Sequence, residues 1–126
     1  MIILDACVLI AFANPADRHH NAAVAVLDSP EPLAISALTG AEVMVHPPTA
    51  AQSAWRQFFA ELGITVLALG EADMAPLAET RRRTGLKMPD AIVLYLAKRE
   101  SASLATFDTR LVQAAAAQSI STQPRG

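Results

Sequence analysis

The sequence predicts an α/β fold: a three-layer α/β/α sandwich around a central, mostly parallel sheet of four to five strands. Two observations carry this. Short apolar runs alternate with segments of helical periodicity along the whole chain, and that alternation marks a parallel sheet with helices on both faces. The first run, Ile2-Ile3-Leu4, is continuously apolar, as a strand covered on both faces requires.

The elements follow in order. After the strand at Ile2-Ile3-Leu4, a helix is expected from about Ala6 to Ala13, and Asn14-Pro15-Ala16-Asp17 reads as a turn. Asn21 to Leu27 reads as a second helix, closed by Asp28-Ser29-Pro30, and Leu33-Ala34-Ile35 as a second strand. Ser36 is suited to cap a helix beginning at Ala37. His46-Pro47-Pro48 ends that helix, because proline disfavours helical geometry in the residue before it. Thr49 caps the next, which runs through Trp55, Phe58 and Phe59 to Leu62 and closes at Gly63. A third strand is expected at Ile64 to Leu67, a helix from Glu71 to Thr84 ended by Gly85, and a helix opened by Pro89 and reaching about Arg99. Leu104 to Phe107 reads as a fourth strand, Asp108 to Ala117 as a helix, Ile120 as part of a short last strand, and 123–126 as a frayed tail.

At 126 residues the chain is expected to be one domain, 1–126, large enough to bury a core without covalent staples. Its one cysteine, Cys7, has no partner for an internal disulfide, which suits a reducing compartment. The apolar start lacks a basic stretch before it and stops at Asp5, so no secretory signal is expected. No apolar run approaches the roughly 20 residues of a membrane span. These points predict a cytoplasmic protein with no membrane association.

The formal net charge is −2, which argues against a nucleic-acid ligand if charge is averaged over the chain. Four acids, however, stand apart: Asp5, Glu42, Asp90 and Asp108. With them set aside, ten basic against eight remaining acidic side chains leave +2. Arg81, Arg82 and Arg83, with Lys87 close behind, form the dense basic cluster. It reads either as a solvated helix end or as a phosphate-tracking patch.

Asp5 directly follows the first strand and Asp108 the fourth. Each, taken alone, is a good helix N-cap. In one parallel sheet, however, strands leading into helices deliver both to the same rim, where ligands bind in such folds. Glu42 shares helical spacing with Leu38, Ala41 and Val45, which places it within or beside an apolar stripe; the alternative is an edge residue that reaches out to water. Asp90 follows Pro89 in a first helical turn, where the helix dipole favours an anion. It also shares a face with Val93, Leu94 and Ala97. Converging carboxylates repel and push at least one pKa upward. The compensator such an oxygen-rich, sulfur-free set suits is a hard cation, Mg²⁺ or Mn²⁺.

In these residues the chain resembles the PIN-domain ribonucleases, and within them the VapC-type toxins of toxin–antitoxin modules. The resemblance spans Met1 to about Ala115 and rests on an ordered set: Ile2-Ile3-Leu4-Asp5, Ser36 to Val43, Leu86-Lys87-Met88-Pro89-Asp90-Ala91, and Leu104-Ala105-Thr106-Phe107-Asp108. It implies a PIN-like fold and a metal site of Asp5, Glu42, Asp90 and Asp108, with Thr106 as a nearby hydroxyl. It further implies hydrolysis of RNA phosphodiesters with Mg²⁺ or Mn²⁺, a homodimer, and inhibition by a cognate antitoxin protein. The chain departs from the family at Cys7, where Ser, Thr or Asn is common; Cys7 reads as a weak donor or, preferably, as a small buried hydrophobe.

Other features carry less. His19 and His20 lie next to a turn without zinc-motif spacing and read as solvated loop residues. Trp55, Phe58, Phe59 and Leu62 read as core or interface packing rather than a base-stacking platform. There is no glycine-rich phosphate loop and no nucleophile elbow. The alternatives to a ribonuclease are a catalytically silent RNA- or protein-binding module of the same fold and, third, a phosphoacceptor or phosphatase domain. The third is disfavoured because Asp5 has no acidic neighbour and Cys7 stands where an Asp-x-Asp phosphatase needs an acid.

Overall fold

The computed structural model describes residues 1–45 and 52–124. Its strands are β1 (Ile2–Leu4), β2 (Leu33–Ser36), β3 (Thr65–Leu67), β4 (Ser103–Ala105) and β5 (Thr122–Gln123). They form one sheet in the order β3-β2-β1-β4-β5, every pair parallel. The helices are α1 (Ala6–Ala13), α2 (His20–Leu27), α3 (Ala37–Val45), α4 (Gln52–Glu61), α5 (Met74–Thr84), α6 (Met88–Arg99) and α7 (Thr109–Ala117).

The strand alternation explains the three layers. Ile2, Leu4, Leu33 and Ile35 enter a core shared with α1 to α4, completed by Val8, Leu9, Val26, Trp55 and Phe59. Ile3, Ala34 and Leu104 enter the opposite core with the buried length of α6 and with Leu111 and Ala115 of α7. A strand contributing to both cores has no solvated face, which is why β1 is apolar at every position. The chain steps outward from β1 through β2 to β3, then returns so that β4 pairs with the other flank of β1. That reversal makes the carboxyl rim between β1 and β4 the switch point where such sheets hold ligands.

Several expectations need correction. The third helix has the expected period but a different phase: Thr39, Gly40 and Val43 are buried, while Leu38 and Val45 are exposed. Ser36 sets this phase. Its hydroxyl accepts from the Thr39 N–H at 3.0 Å and donates to Thr39 Oγ1 at 3.2 Å, so a polar pair is satisfied inside. Gly40 faces the sheet in the next position; a Cβ there would make an ordinary contact with Ile35 Cδ1 at 3.5 Å. The helix expected from Glu71 begins as a 3-10 turn, Glu71–Asp73, before α5. The fourth strand ends at Ala105, so Thr106 and Phe107 lie beyond it. The last strand is Thr122–Gln123 rather than the region of Ile120, and Gln123 is not frayed: its carbonyl accepts from the Thr106 N–H at 3.0 Å. The helix stop at His46-Pro47-Pro48 and the cap at Thr49 fall outside the described residues. Gly85 closes α5 as expected, in the left-handed region at φ +68°, with its N–H on the Arg81 carbonyl.

The turn before α5 is fastened to the end of α6. Tyr95 donates its hydroxyl to Asp73, Arg99 reaches Asp73 Oδ2 at 3.2 Å and the Ala68 carbonyl at 2.9 Å, and Asp73 Oδ2 also accepts from the Gly70 N–H at 2.8 Å. The Gly70 N–H, then the Tyr95 hydroxyl, then Arg99 hold the Asp73 carboxyl down at about 2. A carboxyl depressed in the folded state adds stability above its unfolded pKa of about 3.9 and loses it as pH falls toward the folded value. The melting temperature of the wild type is therefore expected to exceed that of Asp73→Asn above about pH 4, with the gap closing toward about pH 2. A gap that stays constant with pH would contradict the network's role.

Among the described residues no helix is long and apolar enough to cross a membrane.

Candidate functional site

The register of β1 against β4, with Leu4 opposite Ala105, fixes the centre. Asp5 leaves the rim directly after β1, and Thr106, Phe107 and Asp108 leave it directly after β4. The Asp5 N–H extends the pairing to the Ala105 carbonyl at 2.9 Å. Thr106 is buried between them. Its hydroxyl donates to Asp5 Oδ2 at 2.7 Å and accepts from the Asp108 N–H at 3.1 Å. A hydroxyl suits this place because it donates and accepts at once. Thr106 thus aligns one carboxylate and the backbone of the next.

Asp5 also accepts from the Ala6 N–H, at 2.8 Å to Oδ1, so the capping role and the rim position coexist. The thiol of Cys7 donates to Asp5 Oδ2 at 3.3 Å, lies 3.7 Å from Thr106 Oγ1 and receives the Phe107 N–H at 3.5 Å. Cys7 is therefore a weak donor inside the centre and more than a small buried hydrophobe. Burial first, and the charge of Asp5 second, push its pKa up to about 12. Away from any cation it stays a thiol at neutral pH.

Asp90 lies in the first turn of α6 behind Pro89, half-buried. Burial raises its pKa first, then the negative charges of Asp5 and Asp108; Lys87 and Arg110 act in the opposite direction. Asp5, Asp90 and Asp108 thus share one electrostatic neighbourhood. Asp108 is exposed and caps α7, its Oδ1 accepting from the N–H groups of Arg110 at 2.9 Å and Leu111 at 3.4 Å. Glu42 is half-buried on α3, the helix that follows β2 beside β1 and packs against α1. β2 delivers the start of α3 to the rim beside β1, with Glu42 five residues past Ala37. Among the described residues, no three His, Cys, Asp or Glu side chains are drawn together closely enough to hold a metal ion as they stand. The chemistry of the set nevertheless fits a hard dication. The donors are carboxylate oxygens, and the burden on Asp90, burial first and then repulsion by Asp5 and Asp108, is one that a nearby cation relieves.

The histidines differ from expectation. His19 stacks on Phe107, ring centroids 4.3 Å apart and planes 8° from parallel, and receives Arg18 Nε at 3.2 Å. His20 Nδ1 lies 2.9 Å from the Ala11 carbonyl. Neither is a plain solvated loop residue, because Phe107 presents an apolar ring beyond β4 and Asp17 fixes the turn by accepting the His19 N–H at 2.8 Å. Lys87 and Arg110, whose charges act on Asp90, were not singled out for this site from the sequence. The available signal was spacing: Arg110 is two residues past Asp108 and Lys87 three before Asp90.

Thr106 gives a direct test of the centre's architecture. Thr106→Val keeps shape and burial but leaves the Asp108 N–H and Asp5 Oδ2 without this partner, at an expected cost of about 1–3 kcal/mol. Thr106→Ser keeps the hydroxyl and is expected to recover most of it. Urea unfolding of the three proteins separates them, and equal losses in both variants would refute the bridge.

A family model described as PIN domain matches residues 2–117. No curated protein matches the chain. Among solved structures, a toxin–antitoxin complex from Klebsiella pneumoniae is 27% identical, with a TM-score of 0.69, covering 86% of this chain and 88% of that one. VapC20 from Mycobacterium tuberculosis, described as a sarcin-ricin loop cleaving toxin, is 16% identical at a TM-score of 0.74, over 90% of this chain and 95% of that one. VapBC2 from Rickettsia felis, bound to a DNA fragment from its promoter, is 16% identical at 0.71, over 98% of each chain. The latter two likenesses are of fold.

Proposed function

Given that the chain belongs to the PIN-domain family, we propose that it is a divalent-metal-dependent endoribonuclease and the toxin of a toxin–antitoxin pair. The observation that supports this is the placement of Asp5 after β1 and Asp108 after β4 at the switch point, with the charges of both felt at Asp90. The Klebsiella pneumoniae complex supports the toxin assignment, and the description of VapC20 supports RNA as the substrate class.

In this reading Asp5, Glu42, Asp90 and Asp108 hold Mg²⁺ or Mn²⁺. A cation held there would supply positive charge beside the phosphoryl oxygens and the attacking water. The chain's own groups set the frame. Thr106 fixes the Asp5 carboxylate, the first turn of α6 holds Asp90 at the rim, and the α7 cap orients Asp108. Cys7 adds a weak hydrogen bond to Asp5 and keeps its proton. The protein is proposed to act in the cytoplasm as a homodimer, silenced by its antitoxin.

Incubation of purified protein with structured and single-stranded RNAs, with Mg²⁺ or Mn²⁺ and then with EDTA, tests the activity. Cleavage that persists in EDTA would refute the metal assignment. RNA or protein binding without cleavage by freshly purified, metal-loaded protein would favour the silent binding module instead.

A further inference from the structure

Helices α5 and α7 flank α6 and leave a groove of about 960 Å³ between them. Pro76, Glu79, Thr80, Arg83 and Thr84 form one wall, Arg110, Gln113, Ala114, Ala117 and Gln118 the other. Tyr95, Lys98 and Arg99 lie along α6 between the walls. The groove carries four cations and one acid, Glu79, in a chain whose formal net charge is −2. Two of the cations are already engaged: Arg83 with Glu79 at 2.8 Å, and Arg99 with Asp73 and Glu100. Among the described residues Lys98 and Arg110 enter no ion pair, and both are exposed.

Their placement is directional. Arg110 stands in the first turn of α7, two residues past Asp108, at the end of the groove that adjoins the acidic centre, and its charge reaches Asp90. Lys98 is at the far end of α6, ten helical residues beyond Met88, or about 15 Å at the helical rise. A chain of phosphates leaving the carboxylate rim meets Arg110 first and Lys98 last.

The geometry points to this groove as the track for the phosphodiester backbone of the RNA strand that flanks the scissile bond. The inference rests on the ribonuclease reading above. An acidic peptide is the lesser match. Such a ligand gains nothing from a groove that opens onto the catalytic rim, whereas a strand threaded through that rim must continue somewhere cationic. Tyr95 is committed to Asp73 and Leu86 is buried, so the floor favours backbone contact over base readout, and sequence-tolerant binding is expected.

The test measures equilibrium binding of a fluorescent twelve-nucleotide single-stranded RNA in EDTA, across a salt series, for the wild type, Lys98→Ala and Lys98→Ala/Arg110→Ala. Both side chains are exposed, and melting temperatures confirm folding. Each lost phosphate contact is expected to lower the magnitude of the slope of log K against log salt by about 0.7. For Lys98→Ala, KM on long RNA is expected to rise while kcat stays at the wild-type value. Unchanged affinity and slope in the double variant, with wild-type cleavage intact, would overturn the groove and leave the nuclease standing. A wild type that neither binds nor cleaves RNA would overturn both. An acidic peptide bound through Lys98 and Arg110, without competition from RNA, would also overturn the groove assignment.

Discussion

Asp5→Asn is expected to lower RNA cleavage by at least about a thousandfold while the protein remains folded. The loss is set by what the side chain does at the switch point. Removing one group that acts on developing charge typically costs about a hundred- to a thousandfold, and Asp5 does more, since it is also the acceptor that Thr106, Cys7 and the Ala6 N–H converge on. Asparagine removes the charge and keeps one acceptor oxygen, enough for the Ala6 N–H on one side or for Thr106 and Cys7 on the other. Single-turnover cleavage, read with circular dichroism on the same sample, checks the expectation. Activity within tenfold of wild type would remove Asp5 from the chemistry. Asp90→Asn makes the complementary case. It is expected to lose cleavage to a similar degree, yet to melt higher than the wild type in EDTA at neutral pH, because a charge that is half-buried and repelled by Asp5 and Asp108 is gone. A catalytic side chain whose removal stabilises the metal-free fold is the signature of a site built around an absent positive charge.

Metal removal has the second large effect. EDTA is expected to abolish cleavage and to lower the melting temperature. Any ligand bound only by the folded state stabilises it by about 2.7 kcal/mol at a hundredfold excess over Kd, or roughly 10 °C for a chain of this length. The pH dependence follows from Asp90, whose folded pKa is raised above its unfolded value by burial and by Asp5 and Asp108. A raised carboxyl contributes its stability below the unfolded pKa, and that contribution is lost as pH rises through the folded pKa. Metal-free protein should therefore lose stability relative to Asp90→Asn as pH climbs from about 4. Saturating Mg²⁺ should oppose this loss. Melting curves from pH 4 to 8, with and without Mg²⁺, decide it; a metal-insensitive melting temperature at concentrations that support cleavage would sink the assignment.

The fold was legible because its signals are local and redundant. The continuous apolar run of β1 reported a strand buried on both faces, and Gly85 marked the end of α5. The phase of α3 was not legible, because a hydrophobic pattern cannot reveal that Thr39 is satisfied inside by Ser36 or that Gly40 is the residue turned to the sheet. The carboxylates of Asp5 and Asp108 could be placed at one rim from strand order alone, but the Thr106 bridge from the Asp5 carboxylate to the Asp108 N–H needed the β1–β4 register. The stacking of His19 on Phe107 joins residues too far apart in sequence for any local pattern to connect. Arg110 went unnoticed because its influence on Asp90 acts between two helices.

The Thr106 bridge has a consequence for biosynthesis. Its two ends lie on segments 101 residues apart, and β1 gains its β4 neighbour only after most of the polypeptide has been made. A nascent chain on the ribosome carries Asp5 early but lacks the hydroxyl that aligns it, along with Asp108 beyond. On the proposed nuclease reading, hydrolytic competence would arrive late in translation, and an abortive fragment ending before β4 is expected to be inert.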